Sequence, residues 1–126
     1  MRQWNVNPKM MCRQHLLGEH VELHMFRAHL KKGHDLSGYI SKGYLSPTTL
    51  YSRHEEVAKE MLNRGYQHWS PMESYESTEP GGVDVVANEV ALAARCERCN
   101  DLRNKMLEER KKCLEQIEKE TGLRLG

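Results

Sequence analysis

The sequence has few aromatic residues, few cysteines and no long apolar run. Aromatic residues make up 6% of the 126 positions and charged residues 29%, a composition that suits a small helical protein better than a β-sandwich or a barrel. No apolar run approaches the roughly 18 residues of a membrane-spanning helix, and no signal-peptide pattern opens the chain. We therefore expect a soluble cytoplasmic protein that does not contact membranes.

The cysteines Cys12, Cys96, Cys99 and Cys113 are too few and too irregularly spaced for a secreted disulfide framework. Cys96 and Cys99 form a C-x-x-C pair that the other two could complete as a four-thiolate zinc site. Both also lie on the apolar stripe of a predicted helix, where cysteine packs as a small hydrophobic residue. We favour buried structural thiols and expect no bound metal or cofactor, with a metal site as the open alternative.

The net charge is only +1, but the charges are distributed unevenly. Residues 1–70 carry 10 Lys and Arg against 6 Asp and Glu, together with all 7 histidines, whereas residues 71–126 carry 9 against 12. A basic, histidine-rich first part could face phosphate. A chance imbalance of ordinary surface charge is the equally open alternative.

Apolar spacing predicts three main helices and no strand, so the expected fold class is all-α, with residues 1–126 forming one domain. The first helix spans about residues 10–32 and ends at Gly33. The second opens with Ser46 and Pro47, a cap residue followed by proline, and ends near residue 65.

The third predicted helix is long and continuous, from about residue 83 to residue 121. Its apolar stripe consists of Leu92, Cys96, Cys99, Leu102, Met106, Cys113 and Ile117. A connector over residues 33–45 contains a short helical turn near 36–41, and residues 66–82 are expected to form a loop.

The segment GEHVELHMF, residues 18–26, brings histidines and glutamates together on the first helix. His20 and His24 have the four-residue spacing of two zinc ligands. The order is H-x-E-x-H, however, and it turns Glu22 about 200° around the helix from His20. Since His15, Glu19 and Glu22 share one face, the segment favours a carboxylate held over a cleft.

Two segments resemble a known family of repair enzymes. QHLLGEHVEL (14–23) and RHEEVAKEMLNRGYQ (53–67) are similar to the phage-type pyrimidine-dimer DNA glycosylases with abasic-site lyase activity, the endonuclease V type of UV-repair enzyme. The first similarity runs without a gap from the first residue through Leu23. Together the two cover about residues 1–70, and the predicted helix at 83–121 has no counterpart that can be aligned.

The resemblance implies an all-helical domain whose N-terminal arm inserts between helices and brings the α-amine close to a glutamate. It also implies cleavage of the glycosidic bond of a damaged pyrimidine in duplex DNA, followed by an imine intermediate and β-elimination. By position, the nucleophile is the amine of Met1, the essential acid is Glu22, and Arg2 is a DNA-binding cation. An α-amine is much less basic than a lysine side chain, and a carboxylate stabilises an oxocarbenium-like sugar.

Further contacts to DNA phosphates are expected from basic side chains in the same part of the chain. The candidates are His15, Lys31, Lys32, Arg53, His54 and Arg64. His20, His24, His29 and His34 are expected to face solvent or phosphate. Trp4 could stack on a base or fill the core, and we favour the core.

Two departures from the family pattern bear on the mechanism and the lesion. Family members expose a small residue after removal of the initiator methionine, whereas the bulky Arg2 predicts that Met1 is retained. The dimer-specific enzyme of the family has arginines where this chain has Val21 and Met25, which bears on lesion preference.

Two alternatives keep a helical fold but differ in function. One is a non-catalytic DNA-binding or partner-binding protein, and the other is a metal-bound helical module. We also expect that the chain could form a homodimer through the third helix. We expect it to associate with the nucleoid, which for a phage protein would lie in the host cytoplasm.

Overall fold

The computed structural model describes residues 1–78 and 81–124, and every regular element among them is helical. The five α-helices are α1 (Arg13–Lys31), α2 (Ser37–Ser41), α3 (Leu50–Asn63), α4 (Val85–Arg95) and α5 (Glu97–Thr121). Short 3-10 turns occur at Pro8–Met10 and Pro47–Thr49. The all-α prediction is confirmed. None of the helices described is both long enough and apolar enough to cross a membrane.

The first two predicted helices are present with shifted starts. The first begins at Arg13 and not near Met10, because the turn at Pro8–Met10 and the extended Cys12 precede it. The second begins with the turn at Pro47–Thr49 and continues as α3. The helical turn predicted in the connector is α2.

The predicted loop also agrees with the structure where it is described. Residues 66–78 and 81–82 have no regular secondary structure. The remaining part of that loop prediction, residues 79–80, lies outside the described residues, as do residues 125–126 of the C-terminal segment.

The core lies between α1 and α3 and is closed by an N-terminal arm, residues 1–7. Its apolar side chains include Trp4, Val6, Met10, Met11, Leu16, Leu23, Phe26, Leu50, Val57 and Met61. Burial of each large apolar side chain stabilises the fold by about 1.5–3 kcal/mol. The predicted core position of Trp4 is confirmed, whereas Leu62 of α3 is 59% exposed. Leu62 points about 140° around the helix from Val57.

The N-terminal arm is enclosed by chain on both sides. On one side, the buried Gln3 donates its backbone N–H to the Tyr44 carbonyl at 2.7 Å and accepts the Ser46 N–H on Oε1 at 3.0 Å. On the other side, Asn88 of α4 donates its side-chain amide to the Trp4 carbonyl at 2.8 Å. These bonds satisfy buried backbone groups that an extended segment would otherwise leave unpaired.

The prediction of one continuous third helix is wrong, because the chain breaks at Cys96. This residue has an extended backbone, with φ −132° and ψ 114°, and it separates α4 from α5. The break lets Asn88 reach the arm at Arg2 and Trp4 while Cys99 packs beside Cys12. A straight helix would extend along one line and would not bring both segments onto the N-terminal part.

The far half of α5 lies away from the core. Its predicted stripe is packed against the core cluster only as far as Met106. Beyond that residue Cys113 is exposed and Ile117 is 38% exposed. A homodimer through this helix stays a prediction.

Candidate active site

A cavity of about 490 Å³ lies between the start of α1, the N-terminal arm and the end of α4. Its lining residues are Met1, Arg2, Trp4, Gln14, His15, Gly18, Glu19, Glu22, Tyr44 and Arg95. The cavity therefore brings together the two residues predicted as catalytic, Met1 and Glu22, with two of the predicted DNA contacts, Arg2 and His15.

Glu22 is held directly against the N-terminal arm. Its Oε2 accepts a hydrogen bond from the backbone N–H of Arg2 at 3.1 Å. Residues 15, 19 and 22 share the face of α1 that lines the cavity, as their spacing predicts. The carboxylate thus lies beside the first peptide group of the chain.

Arg2 forms part of the cavity wall through its side chain. Its guanidinium lies 4.0 Å from the ring centroid of Trp4 and 4.6 Å from that of Tyr44, an arrangement in which cation–π attraction contributes about 0.5–2 kcal/mol. Nη2 donates to Asn88 Oδ1 at 2.5 Å. Burial is the main cause that lowers the pKa of the Arg2 guanidinium. These contacts fix the start of the arm.

Arg53 is not a phosphate contact, which corrects the prediction made for it. Its side chain is almost completely buried and pairs with the buried Glu19 through bonds of 2.6 Å from Nε and 2.8 Å from Nη2. Nη1 is taken by the Val6 carbonyl and by Glu56. Burial raises the pKa of the Glu19 carboxyl, and Arg53 opposes that shift. The pair supports the cavity floor from inside.

His54 is likewise completely buried, so the prediction that it contacts phosphate is also wrong. It belongs to a histidine cluster formed by His20, His24, His54 and His68. His54 Nε2 lies 3.1 Å from His24 Nε2, and His68 Nε2 lies 3.0 Å from His20 Nε2. The expectation that His20 faces solvent is also wrong, since it is only 8% exposed.

The histidine cluster disfavours charge. Burial first, and then His24, His54 and His68, lower the pKa of His20 to about 4. Burial also lowers the pKa of His24, with further lowering by His54. A neutral imidazole has one donor and one acceptor nitrogen, so neutral rings can bond to each other as observed.

The remaining predicted cations lie outside the cavity lining. Lys31 and Lys32 are exposed at the end of α1, with Lys31 Nζ 3.9 Å from Glu73. Arg64 is half-buried and donates to the Pro8 carbonyl at 2.9 Å. Contacts of these three residues to DNA phosphates stay predictions.

His15 lies between the cavity and a group of thiols. Its Nδ1 is 3.2 Å from Cys12 Sγ and 3.6 Å from Cys99 Sγ. Burial and the nearby Arg95 lower the pKa of His15. With Cys96, these side chains could hold a metal ion, whereas the exposed Cys113 is not part of the group.

The site also contains Tyr44, Arg95 and Asn88, none of which was predicted from the sequence. Tyr44 and Arg95 line the cavity, and Asn88 bonds to both Arg2 and Trp4. They come from the connector and from α4, which have no recognisable motif. The only signal was a lone asparagine on the apolar face of α4, four residues before Leu92.

Comparison with known proteins points to one family. The family model described as "Pyrimidine dimer DNA glycosylase" matches residues 1–74, more than half of the 126-residue chain. The match covers the arm, α1, α2 and α3, and it includes Met1, Arg2 and Glu22. Neither a search of curated proteins nor a search of solved structures finds a match to the chain.

Proposed function

This chain belongs to the pyrimidine dimer DNA glycosylase family, and we propose that it releases damaged pyrimidines from duplex DNA with Met1 as nucleophile and Glu22 as the essential carboxylate. The observation that supports this assignment best is the 3.1 Å hydrogen bond from the Arg2 backbone N–H to Glu22 Oε2. Three covalent bonds separate that nitrogen from the α-amine of Met1. The amine therefore lies within about 7 Å of the carboxylate oxygen.

The first chemical step joins the amine to the sugar. The neutral Met1 amine attacks C1′, the C1′–N1 bond breaks, and the base leaves with the electron pair of that bond and takes up a proton. The nitrogen then loses one proton, the C1′–O4′ bond opens as O4′ takes up a proton, and a protonated C1′=N imine forms. The Glu22 carboxylate stabilises the positive charge that develops on the sugar while the glycosidic bond lengthens.

The second step cleaves the strand. Loss of a proton from C2′ and departure of the 3′-phosphate complete a β-elimination, for which the same carboxylate is positioned to transfer protons. Water then hydrolyses the imine and regenerates the amine.

The damaged nucleotide must flip out of the duplex to bring its C1′ into the cavity. The rings of Trp4 and Tyr44, which pack on Arg2, are suited to border the flipped nucleotide.

Lesion recognition by this chain is proposed to use apolar contact near Glu22. Val21 and Met25 are 56% and 43% exposed on α1, where the resembling family enzyme has arginines. Met25 follows Glu22 by three residues and so shares its side of the helix. Positive charge at the cavity comes instead from Arg2 and Arg95.

Glu22→Gln tests the carboxylate. We expect cleavage of the glycosidic bond and strand nicking in dimer-containing duplex to fall by about 100-fold or more, since the charge near C1′ is removed. DNA affinity should stay within a few fold, because glutamine keeps the size and the acceptor of the hydrogen bond from Arg2. Glycosidic-bond cleavage, nicking and binding are measured separately on one duplex.

Glu109→Gln is the matched control, because Glu109 is exposed on the far half of α5. It should leave all three measurements unchanged. A Glu22→Gln variant that nicks the damaged duplex near the wild-type rate would falsify the role given to this carboxylate.

A further inference from the structure

Beside the cavity, four metal-binding side chains converge where α1 begins and α4 meets α5. Cys12, His15, Cys96 and Cys99 each offer one ligand atom, and these atoms all lie within 4.8 Å of one another. We infer that they form a structural zinc site with three thiolate ligands and one imidazole ligand. This inference is independent of the proposed catalysis and concerns how the C-terminal helices are held.

The distances between ligand atoms fit a tetrahedral ion. With Zn–S about 2.3 Å and Zn–N about 2.0–2.1 Å, a tetrahedron has S···S edges of about 3.8 Å and S···N edges of about 3.5 Å. The Cys12 and Cys96 sulfurs are 3.9 Å apart. His15 Nδ1 is 3.2 Å from Cys12 Sγ and 3.6 Å from Cys99 Sγ. All four cysteines of the chain are free, so no disulfide accounts for the convergence.

The two ligand pairs have the same sequence spacing, and each lies at the N-terminus of a helix. Cys12 and His15 are a C-x-x-H pair, and Cys96 and Cys99 are a C-x-x-C pair. The first member of each is the extended N-cap residue of its helix, and neither makes a side-chain capping bond. The second member lies in the first helical turn. Two such pairs in one group make a much stronger zinc signal than an isolated C-x-x-C.

The surroundings suit bound thiolates. The backbone N–H of Cys12 donates to Cys99 Sγ at 3.2 Å, and such second contacts orient metal ligands and tune them. Zn²⁺ with three thiolates carries a net charge of about −1, and Arg95 and Arg98 are close enough to His15 to interact with it electrostatically. Three soft sulfur ligands select zinc over magnesium or calcium.

Four protein ligands complete a tetrahedron, which makes the site structural and leaves no open position for substrate. The ion would tie residues 96–99, which lie outside the family match at 1–74, to the first turn of α1. His15 and Arg95 both line the cavity. The zinc ion would therefore fix one wall of that cavity and explain why the helix breaks at Cys96.

The test measures metal in the full chain, purified without an affinity tag under reducing conditions. Elemental analysis should find about one zinc ion per chain. Cys96→Ser and Cys99→Ser should each lose it. Cys113→Ser is the matched control and should keep it, because that thiol is exposed outside the group. His68→Ala, which removes a ring of the histidine cluster, should also keep it.

Absorption spectroscopy with Co²⁺ tests the site in wild-type protein, so the result does not depend on whether a serine variant folds. Wild-type protein reconstituted with Co²⁺ should develop thiolate-to-cobalt charge transfer and the intense visible bands of a tetrahedral ion. His15→Cys should keep the metal and strengthen the charge-transfer band, since it exchanges an imidazole for a fourth thiolate.

Three results would overturn the inference. One is wild-type protein that has no stoichiometric zinc and, after reduction, takes up no Co²⁺. Another is iron in place of zinc. The last is zinc that survives both serine substitutions but disappears in His68→Ala. None of these readings uses DNA cleavage, so they are separate from the outcome for Glu22.

Discussion

At the residue scale, Asn88 connects the arm to α4 with both ends of its side-chain amide. It accepts from Arg2 Nη2 and donates to the Trp4 carbonyl, and it is only 4% exposed. Asn88→Ala would leave a buried carbonyl and a guanidinium donor unpaired. We expect a loss of about 1–3 kcal/mol in the free energy of unfolding, measured by denaturant titration.

Asn104→Ala is the control for that substitution, because Asn104 is exposed on α5. It should change the free energy of unfolding by less than about 0.5 kcal/mol. Equal effects of the two substitutions would show that Asn88 does not stabilise the arm.

The histidine cluster predicts sensitivity to acid. The folded-state pKa of His20 is about 4, below the roughly 6.5 of an unfolded histidine. The unfolded chain therefore binds the proton first, and stability contributed by neutral His20 is lost as the pH falls from about 6.5 to about 4. The groups that bear on this ring are His24, His54 and His68, with Glu55 bonded to His54.

Thermal unfolding across that pH range measures this loss. We expect the midpoint to fall more steeply in wild-type protein than in His20→Asn, which cannot take up the proton. His34→Asn is the control, since that ring is exposed at the end of α1 and bonds to His29. An identical fall in wild type and His20→Asn would contradict the role given to the cluster.

At the element scale, Gly18 is a glycine in the middle of α1 that no packing contact requires. A Cβ built there meets nothing within 4 Å, and the residue lines the cavity. Gly18→Ala should therefore raise stability by about 1 kcal/mol, because alanine favours a helix interior over glycine. The thermal unfolding midpoint should rise by a few degrees.

Gly18→Leu should fold but obstruct the cavity, so nicking of damaged duplex should fall while the unfolding midpoint is maintained. Gly38→Leu on α2 is the matched control, since a Cβ at Gly38 also meets nothing and that residue does not line the cavity. If Gly18→Leu nicked as well as Gly38→Leu, the cavity would not be where the sugar binds.

The helices α1 and α3 could be predicted from the sequence because heptad-spaced leucines, a proline in the first turn and glycines after the last turn all agree. The break at Cys96 could not be predicted from apolar spacing, because no glycine or proline interrupts the stripe. The one sequence signal for the break was the C-x-x-H pair of Cys12 and His15, which matches the C-x-x-C pair at Cys96 and Cys99. This signal can be interpreted only when the structure shows that the two pairs lie together.

The burial of Arg53 and His54 did have a signal in the sequence. Both lie three or four residues from Leu50 and from Val57, which are completely buried on α3, so all four share one face. Charge alone suggested that the pair faces phosphate. Position on the apolar stripe predicts the burial of these side chains better than charge does. A buried arginine needs a carboxylate partner, and Glu19 on α1 is the partner of Arg53.

At the scale of the whole molecule, the N-terminal part and the C-terminal helices make one site. Met1, Arg2 and Glu22 come from the part that matches the family, whereas Arg95 and the supporting Asn88 come from α4, beyond it. The family match over residues 1–74 therefore includes the proposed reacting groups but not the whole cavity. Metal analysis of the Cys12, His15, Cys96 and Cys99 group tests how α4 and α5 are held against the N-terminal part.

Borohydride trapping on abasic duplex tests most directly whether the α-amine of Met1 is the nucleophile. The chain is produced with a cleavable leader whose removal leaves Met1 as the first residue, checked by intact mass. The same preparation is trapped before and after cleavage. Extension of the N-terminus turns the amine into an amide without the basic lone pair that attack requires.

We expect a covalent adduct only after cleavage, and peptide mapping should assign it to Met1. DNA binding should be measurable in the cleaved protein whether or not borohydride is present. An adduct that forms equally before cleavage, or that maps to Lys9, Lys31 or Lys42, would contradict the account.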